Sequence, residues 1–106
     1  EKKMGDPMKI RAKASGDEEE VKVLMAHEME TGQRKASDGS LVPAWFIQNV
    51  TAKCNDKVVL MANWGPAVSK NPFLSFSFKG GKVGDTVEIT WTDNKGDSRT
   101  DKTKVA

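Results

Sequence analysis

Apolar and polar residues alternate with period two through most of this chain, and clusters of Gly, Pro, Asn and Asp interrupt the alternation every few residues. That period gives a strand one buried face, and no window keeps apolar residues at helical spacing long enough for a helix. The expected fold is all-β. A first strand is predicted at Met8 to Ala14, where Met8, Ile10 and Ala12 alternate with Lys9, Arg11 and Lys13. A second spans Glu20 to His27 with Val21, Val23 and Met25 inward. A third covers Trp45 to Cys54, placing Phe46, Val50 and Ala52 on one face. Cys54-Asn55-Asp56 turns into a fourth, Lys57 to Asn63. Leu74, Phe76 and Phe78 mark a fifth, Val87, Ile89 and Trp91 a sixth, and the polar stretch Ser98 to Lys104 a seventh at a sheet edge, where charges discourage strand addition. About seven short strands with such turns predict an immunoglobulin-like or fibronectin-type sandwich.

No linker, repeat or low-complexity tract argues for a second unit, so residues 8–106 are expected to form one domain and 1–7 a flexible segment. Met4 or Met8 is a candidate natural start, with the residues before it left over from expression. The amino end lacks the apolar stretch of a secretion signal, and no apolar run nears the ~20 residues that cross a bilayer. Membrane insertion is not expected. Seventeen basic and 15 acidic residues leave a net charge of +2, spread along the chain. Binding to a nucleic-acid backbone needs a clustered basic stripe, so nucleic acid is not an expected partner.

Two segments stand out against a minimal sandwich. The polar connection from His27 to Pro43 is longer than the roughly 12–15 residues beyond which structureless loops are usually functional. The second, Asn63 to Pro72, holds Trp64, a glycine and two prolines. A tryptophan on such a loop either folds onto the core or is presented to a partner as an anchor.

His27 and Cys54 are the sole residues of their kinds. One cysteine excludes an internal disulfide and the paired cysteines of antibody domains. Zinc and iron sites want several His or Cys ligands. Asp93-Asn94-Lys95-Gly96-Asp97 only faintly echoes a calcium loop and reads as a turn. Neither a metal nor a cofactor is expected. His27 and Cys54 end strands that would run antiparallel, which sets them at opposite ends of the sandwich and disfavours a Cys–His dyad. Cys54 reads as an inert thiol; reactivity would require an electropositive, exposed setting, to which Lys53 and Lys57 could contribute. His27 reads equally as a hydrogen-bonded loop-entry residue or as an interface residue. The acidic run Asp17 to Glu20 reads as a solvated hairpin turn beside Lys9, Arg11 and Lys13.

Three stretches then carry a resemblance: His27-Glu28-Met29-Glu30-Thr31-Gly32-Gln33-Arg34-Lys35 with Val42-Pro43-Ala44-Trp45-Phe46-Ile47; Trp64-Gly65-Pro66-Ala67-Val68-Ser69-Lys70-Asn71-Pro72-Phe73; and Trp91 to Ser98. In this order they resemble the SoxZ family, the Z subunits of the SoxYZ carrier of bacterial thiosulfate oxidation. Glu28, Trp45 and Phe73 stand where proline, histidine and tyrosine are common in that family.

The resemblance implies a non-catalytic sandwich that binds and stabilises a Y subunit, as a heterodimer or a heterotetramer. It also implies periplasmic residence through co-export with Y, and transient contact with other sulfur-oxidation enzymes. Y-type subunits carry sulfur on a cysteine in a glycine-rich carboxy-terminal arm, and Thr100 to Ala106 here contain neither residue. The expected partner surface comprises His27, Met29, Thr31, Gly32, Arg34, Trp64, Gly65, Pro66, Ser69, Asn71 and Phe73, with Arg34, Trp64 and Phe73 as anchors. Two alternatives stay open: a sulfur-transfer or redox protein using Cys54, and an independent ligand-binding sandwich.

Overall fold

The computed structural model describes residues 7–106; all but Pro7 of the expected flexible segment 1–7 lies outside them. Among the described residues there are seven strands and no helix. They are β1 (Lys9–Ser15), β2 (Glu18–Leu24), β3 (Ile47–Cys54), β4 (Lys57–Asn63), β5 (Phe73–Lys79), β6 (Thr86–Asp93) and β7 (Ser98–Lys104). A three-stranded sheet ordered β1-β2-β5 faces a four-stranded sheet ordered β4-β3-β6-β7, and every pairing is antiparallel. This is the expected sandwich. No helix of the described residues is long and apolar enough to cross a membrane.

Alternation drives the packing. Val21, Val23 and Met25 from the first sheet meet Ile47, Val50, Ala52, Val87, Ile89 and Trp91 from the second, all at most 1% exposed. Fully burying one such side chain is worth about 1.5–3 kcal/mol. The outer faces are mostly polar, with Leu24, Val58, Met61 and Phe73 as exposed apolar exceptions on the strands.

β4 and β7 have the expected bounds, but β3 starts later than Trp45. A register shift between Ile47 and Asn49 puts Ile47 and Val50 on the same inner face, breaking strict alternation there. β2 ends at Leu24, short of His27, because beyond it Met25 N–H bonds to the Pro72 carbonyl outside the ladder (3.0 Å). β7 is an edge strand carrying Arg99, Asp101, Lys102 and Lys104.

The carboxy-terminal residues are tied in. Val105 is buried, and Ala106 exchanges two hydrogen bonds with β1, accepting from Ala14 N–H (3.0 Å) and donating to the Ala12 carbonyl (2.9 Å). Residues up to Ala106 therefore close the gap between β1 and β7 instead of swinging free.

Candidate partner surface and the buried ends of the sandwich

The long connection after β2 is not structureless. Glu30 and Trp45 exchange backbone hydrogen bonds of 2.6 and 2.9 Å, Lys35 bridges Leu41, and the Ala36 amide bonds to the Ser40 carbonyl (2.7 Å). It is a folded-back β arm with its turn near Ser37–Ser40, invisible to pattern reading because its residues are polar on both sides. Gly32 adopts φ +88°, and a Cβ there would sit 3.2 Å from the Ala44 Cβ on the returning limb. Any other residue would combine strain with crowding.

The root of the arm rests on a buried polar hub. His27, 1% exposed in its side chain, lies 3.0 Å through Nε2 from Asp93 Oδ2. Its Nδ1 accepts from the Met29 amide at 3.0 Å. A backbone amide can only donate, so Nδ1 is the acceptor and Nε2 donates to the carboxylate. Trp45 Nε1 donates to the same Oδ2 (2.7 Å), and the Lys95 and Asp97 amides donate to Oδ1 (3.0 and 2.9 Å). Burial pushes the Asp93 carboxyl up, but these bonds together outweigh it and hold it below the usual range. The His27 ring packs edge-on against Trp91 and Trp45, each 5.1 Å away, and Lys95 Nζ lies 4.3 Å from the Trp45 ring centre.

The second irregular loop is pinned to the same place. Asn71, at φ +52°, accepts from His27 N–H through Oδ1 (3.0 Å) and returns its own amide to the His27 carbonyl (2.9 Å). Lys70 reaches Glu28 at 3.5 Å. Trp64 N–H bonds to the Gln48 carbonyl (2.9 Å) and its half-buried ring packs against the core, the first of the two roles weighed for it.

The expected surface residues thus divide. His27 and Met29 are both buried, so in this chain they offer little contact area to solvent. Arg34 is exposed, but its guanidinium is clasped by Glu30 in two bonds of 2.9 and 2.8 Å, which hold the Glu30 carboxyl below its usual range. Thr31, Pro66, Ser69 and Asn71 are exposed, and Gly32 and Gly65 half-exposed. Phe73 is 61% exposed and pairs across β2 with Leu24, itself 42% exposed. Beside Leu24 lies a shallow depression of about 190 Å³ lined by Pro7, Lys9, Met25, Ala26 and Asn71. Leu24 and Phe73 thus leave two neighbouring apolar side chains exposed, with Leu24 at the rim of this depression.

Cys54 lies at the opposite end, away from His27, so the structure forms no Cys–His dyad. Its Sγ is 3.8 Å from Asp85 Oδ2. Burial, then Glu19 and Asp85, push the thiol up, so the neighbours that matter are carboxylates and not the expected lysines. Glu19 also corrects the reading of the acidic run: it is fully buried within β2, both carboxylate oxygens lack a hydrogen-bond partner, and burial followed by Asp85 raises its pKa.

Comparison with known proteins agrees with this architecture. Comparison with curated protein sequences gave no match. Among solved structures, a superoxide reductase (neelaredoxin) from Ignicoccus hospitalis is 15% identical with a TM-score of 0.65, covering 96% of this chain and 80% of that one. A hypothetical protein from Pyrococcus horikoshii is 14% identical with a TM-score of 0.64, covering 99% and 90%. At such identity the likeness is one of fold alone. The family model for the sulphur oxidation protein SoxZ matches residues 8–104, and the chain belongs to that family.

Proposed function

We propose that this chain is the non-catalytic subunit of a sulfur-substrate carrier: it binds and stabilises a Y-type subunit whose own cysteine bears the sulfur intermediates of thiosulfate oxidation. The reading rests on family membership across residues 8–104 together with one structural observation. The histidine and cysteine are both buried at separate ends of the sandwich, whereas apolar side chains are offered to solvent at Leu24 and Phe73. A histidine whose two ring nitrogens are both engaged internally suits a scaffold, and an exposed aromatic residue suits an interface.

In this reading the His27–Asp93–Trp45 hub sets the angle at which the arm and the Trp64–Phe73 loop leave the sandwich. Phe73, Leu24 and Trp64 supply contact energy, and Arg34, already ordered by Glu30, loses little entropy on engaging the partner. The complex resides in the periplasm as a heterodimer, exported through the Y subunit, and presents the loaded arm to the enzymes acting on it.

Co-expression with the Y subunit from the same genome, followed by size-exclusion chromatography, tests this. A co-eluting complex of one copy of each chain is expected. Independent elution of a monomeric Z chain at micromolar concentrations would overturn the reading.

A further inference from the structure

At the end of the sandwich remote from the arm, Glu19 of β2, Cys54 of β3 and Asp85, which immediately precedes β6, bring one ligand atom each within 4.8 Å of one another. We propose that Glu19, Cys54 and Asp85 form a binding site for one divalent, thiophilic cation of the zinc type, clamped between the two sheets.

Four observations carry it. First, both oxygens of the fully buried Glu19 carboxylate are without partners and one of them joins the cluster, an arrangement that a folded chain keeps only if something neutralises it. Second, the spacing suits a metal: bonds of 2.0–2.2 Å to oxygen and 2.3 Å to sulfur at tetrahedral angles put such atoms ~3.6 Å apart, and Cys54 Sγ lies 3.8 Å from Asp85 Oδ2.

Third, the chain makes room for the carboxylate. A Cβ on Gly81 would fall 1.8 Å from Glu19 Oε2 and 2.7 Å from its Cδ, so only glycine lets the loop pass over it. Fourth, Asp85 is oriented by a 2.9 Å bond from the Lys82 amide and stays half-exposed, giving the outer-shell support and solvent access that a cation site needs.

The donor set selects the ion. A thiolate disfavours calcium and magnesium, which take oxygen ligands, and two carboxylates with one sulfur suit zinc or cobalt. Binding releases the Cys54 proton, and the Glu19 proton where it is held. Three side-chain ligands leave a fourth position for water. The ligands come from both sheets, so the ion joins them much as a disulfide would. This assignment does not depend on the Y-subunit reading.

Titration of the full chain with Co²⁺ tests it. A thiolate-to-cobalt charge-transfer band should saturate at one ion per chain and be displaced by Zn²⁺. It should vanish in Cys54→Ala and need at least tenfold more Co²⁺ in Asp85→Asn. Gly81→Ala, which pushes the Glu19 carboxylate aside, should weaken binding while circular dichroism stays that of a sandwich. Should Cys54→Ala fail to fold, X-ray absorption of the zinc-loaded wild type decides, with one sulfur in the shell expected. No charge-transfer band, a shell without sulfur, or uptake unchanged by Asp85→Asn would overturn the proposal and leave Glu19 as a buried protonated acid.

Discussion

Replacing Asp93 by asparagine keeps the shape of the hub and inverts half of its hydrogen bonding. Oδ2 accepts from His27 Nε2 and Trp45 Nε1, and Oδ1 from the Lys95 and Asp97 amides. Whichever position receives the new NH₂ group, two donors lose their acceptor and meet a donor instead. His27 cannot rescue the first pair by switching tautomer, because Nδ1 must stay free to accept the Met29 amide. Hydrogen bonds to a charged acceptor are worth roughly 1.5–3 kcal/mol each, so two lost bonds amount to about 3–6 kcal/mol. Relief of the buried charge returns part of this. A net loss of about 3 kcal/mol is expected, or a Tm lower by roughly 12–24 °C in a domain of this size.

Urea unfolding at pH 7 measures it, and the acid limb supplies a second check. Because the folded-state pKa of Asp93 lies below its ordinary 3.8, its contribution is present above that value and is lost as pH falls through the lower one. The gap between wild type and Asp93→Asn should therefore shrink on acidification. A loss under about 1 kcal/mol at pH 7, or a gap that widens in acid, would refute the hub.

Phe73→Ala, at a site 61% exposed, should leave unfolding unchanged while weakening the Y complex at least tenfold, about 1.4 kcal/mol, by calorimetry. Trp64→Ala and Arg34→Ala should each weaken it similarly, and Trp64→Ala alone should also lower stability, since that ring packs on the core. Full affinity in all three would move the interface elsewhere. With metal chelated, Glu19→Gln should gain on wild type as pH rises: a carboxyl with a raised pKa gives stability below its unfolded value near 4.5 and loses it as pH climbs through the folded one. A pH-independent difference in urea midpoint would contradict that. Iodoacetamide should alkylate native Cys54 far more slowly than the urea-unfolded chain at the same pH, because burial and two carboxylates disfavour the thiolate; equal rates would reopen the thiol reading.

The strands were legible because alternation is what a two-sheet core demands. Carrying the same alternation a little further would have found the polar interior. Stepping back from Val21 by two gives Glu19, stepping on from Met25 gives His27 and Met29, and continuing past Ala52 and Trp91 gives Cys54 and Asp93, all buried. Charge argued against this for Glu19 and Asp93, since acidic residues among turn formers are usually solvated. The arm was illegible for another reason: its cross-chain bonds are backbone bonds, which polar side chains neither specify nor advertise. Likewise, Glu19, Cys54 and Asp85 meet only because antiparallel strands from two sheets end at one place, a juxtaposition with no sequence spacing to betray it.

The most direct measurement of the central claim is intact mass of each chain after the complex with Y is charged with thiosulfate by its partner enzymes, with and without reductant. The account predicts a reductant-sensitive sulfur adduct on the Y chain and an unchanged mass for this one; a sulfur adduct on Cys54 would contradict it.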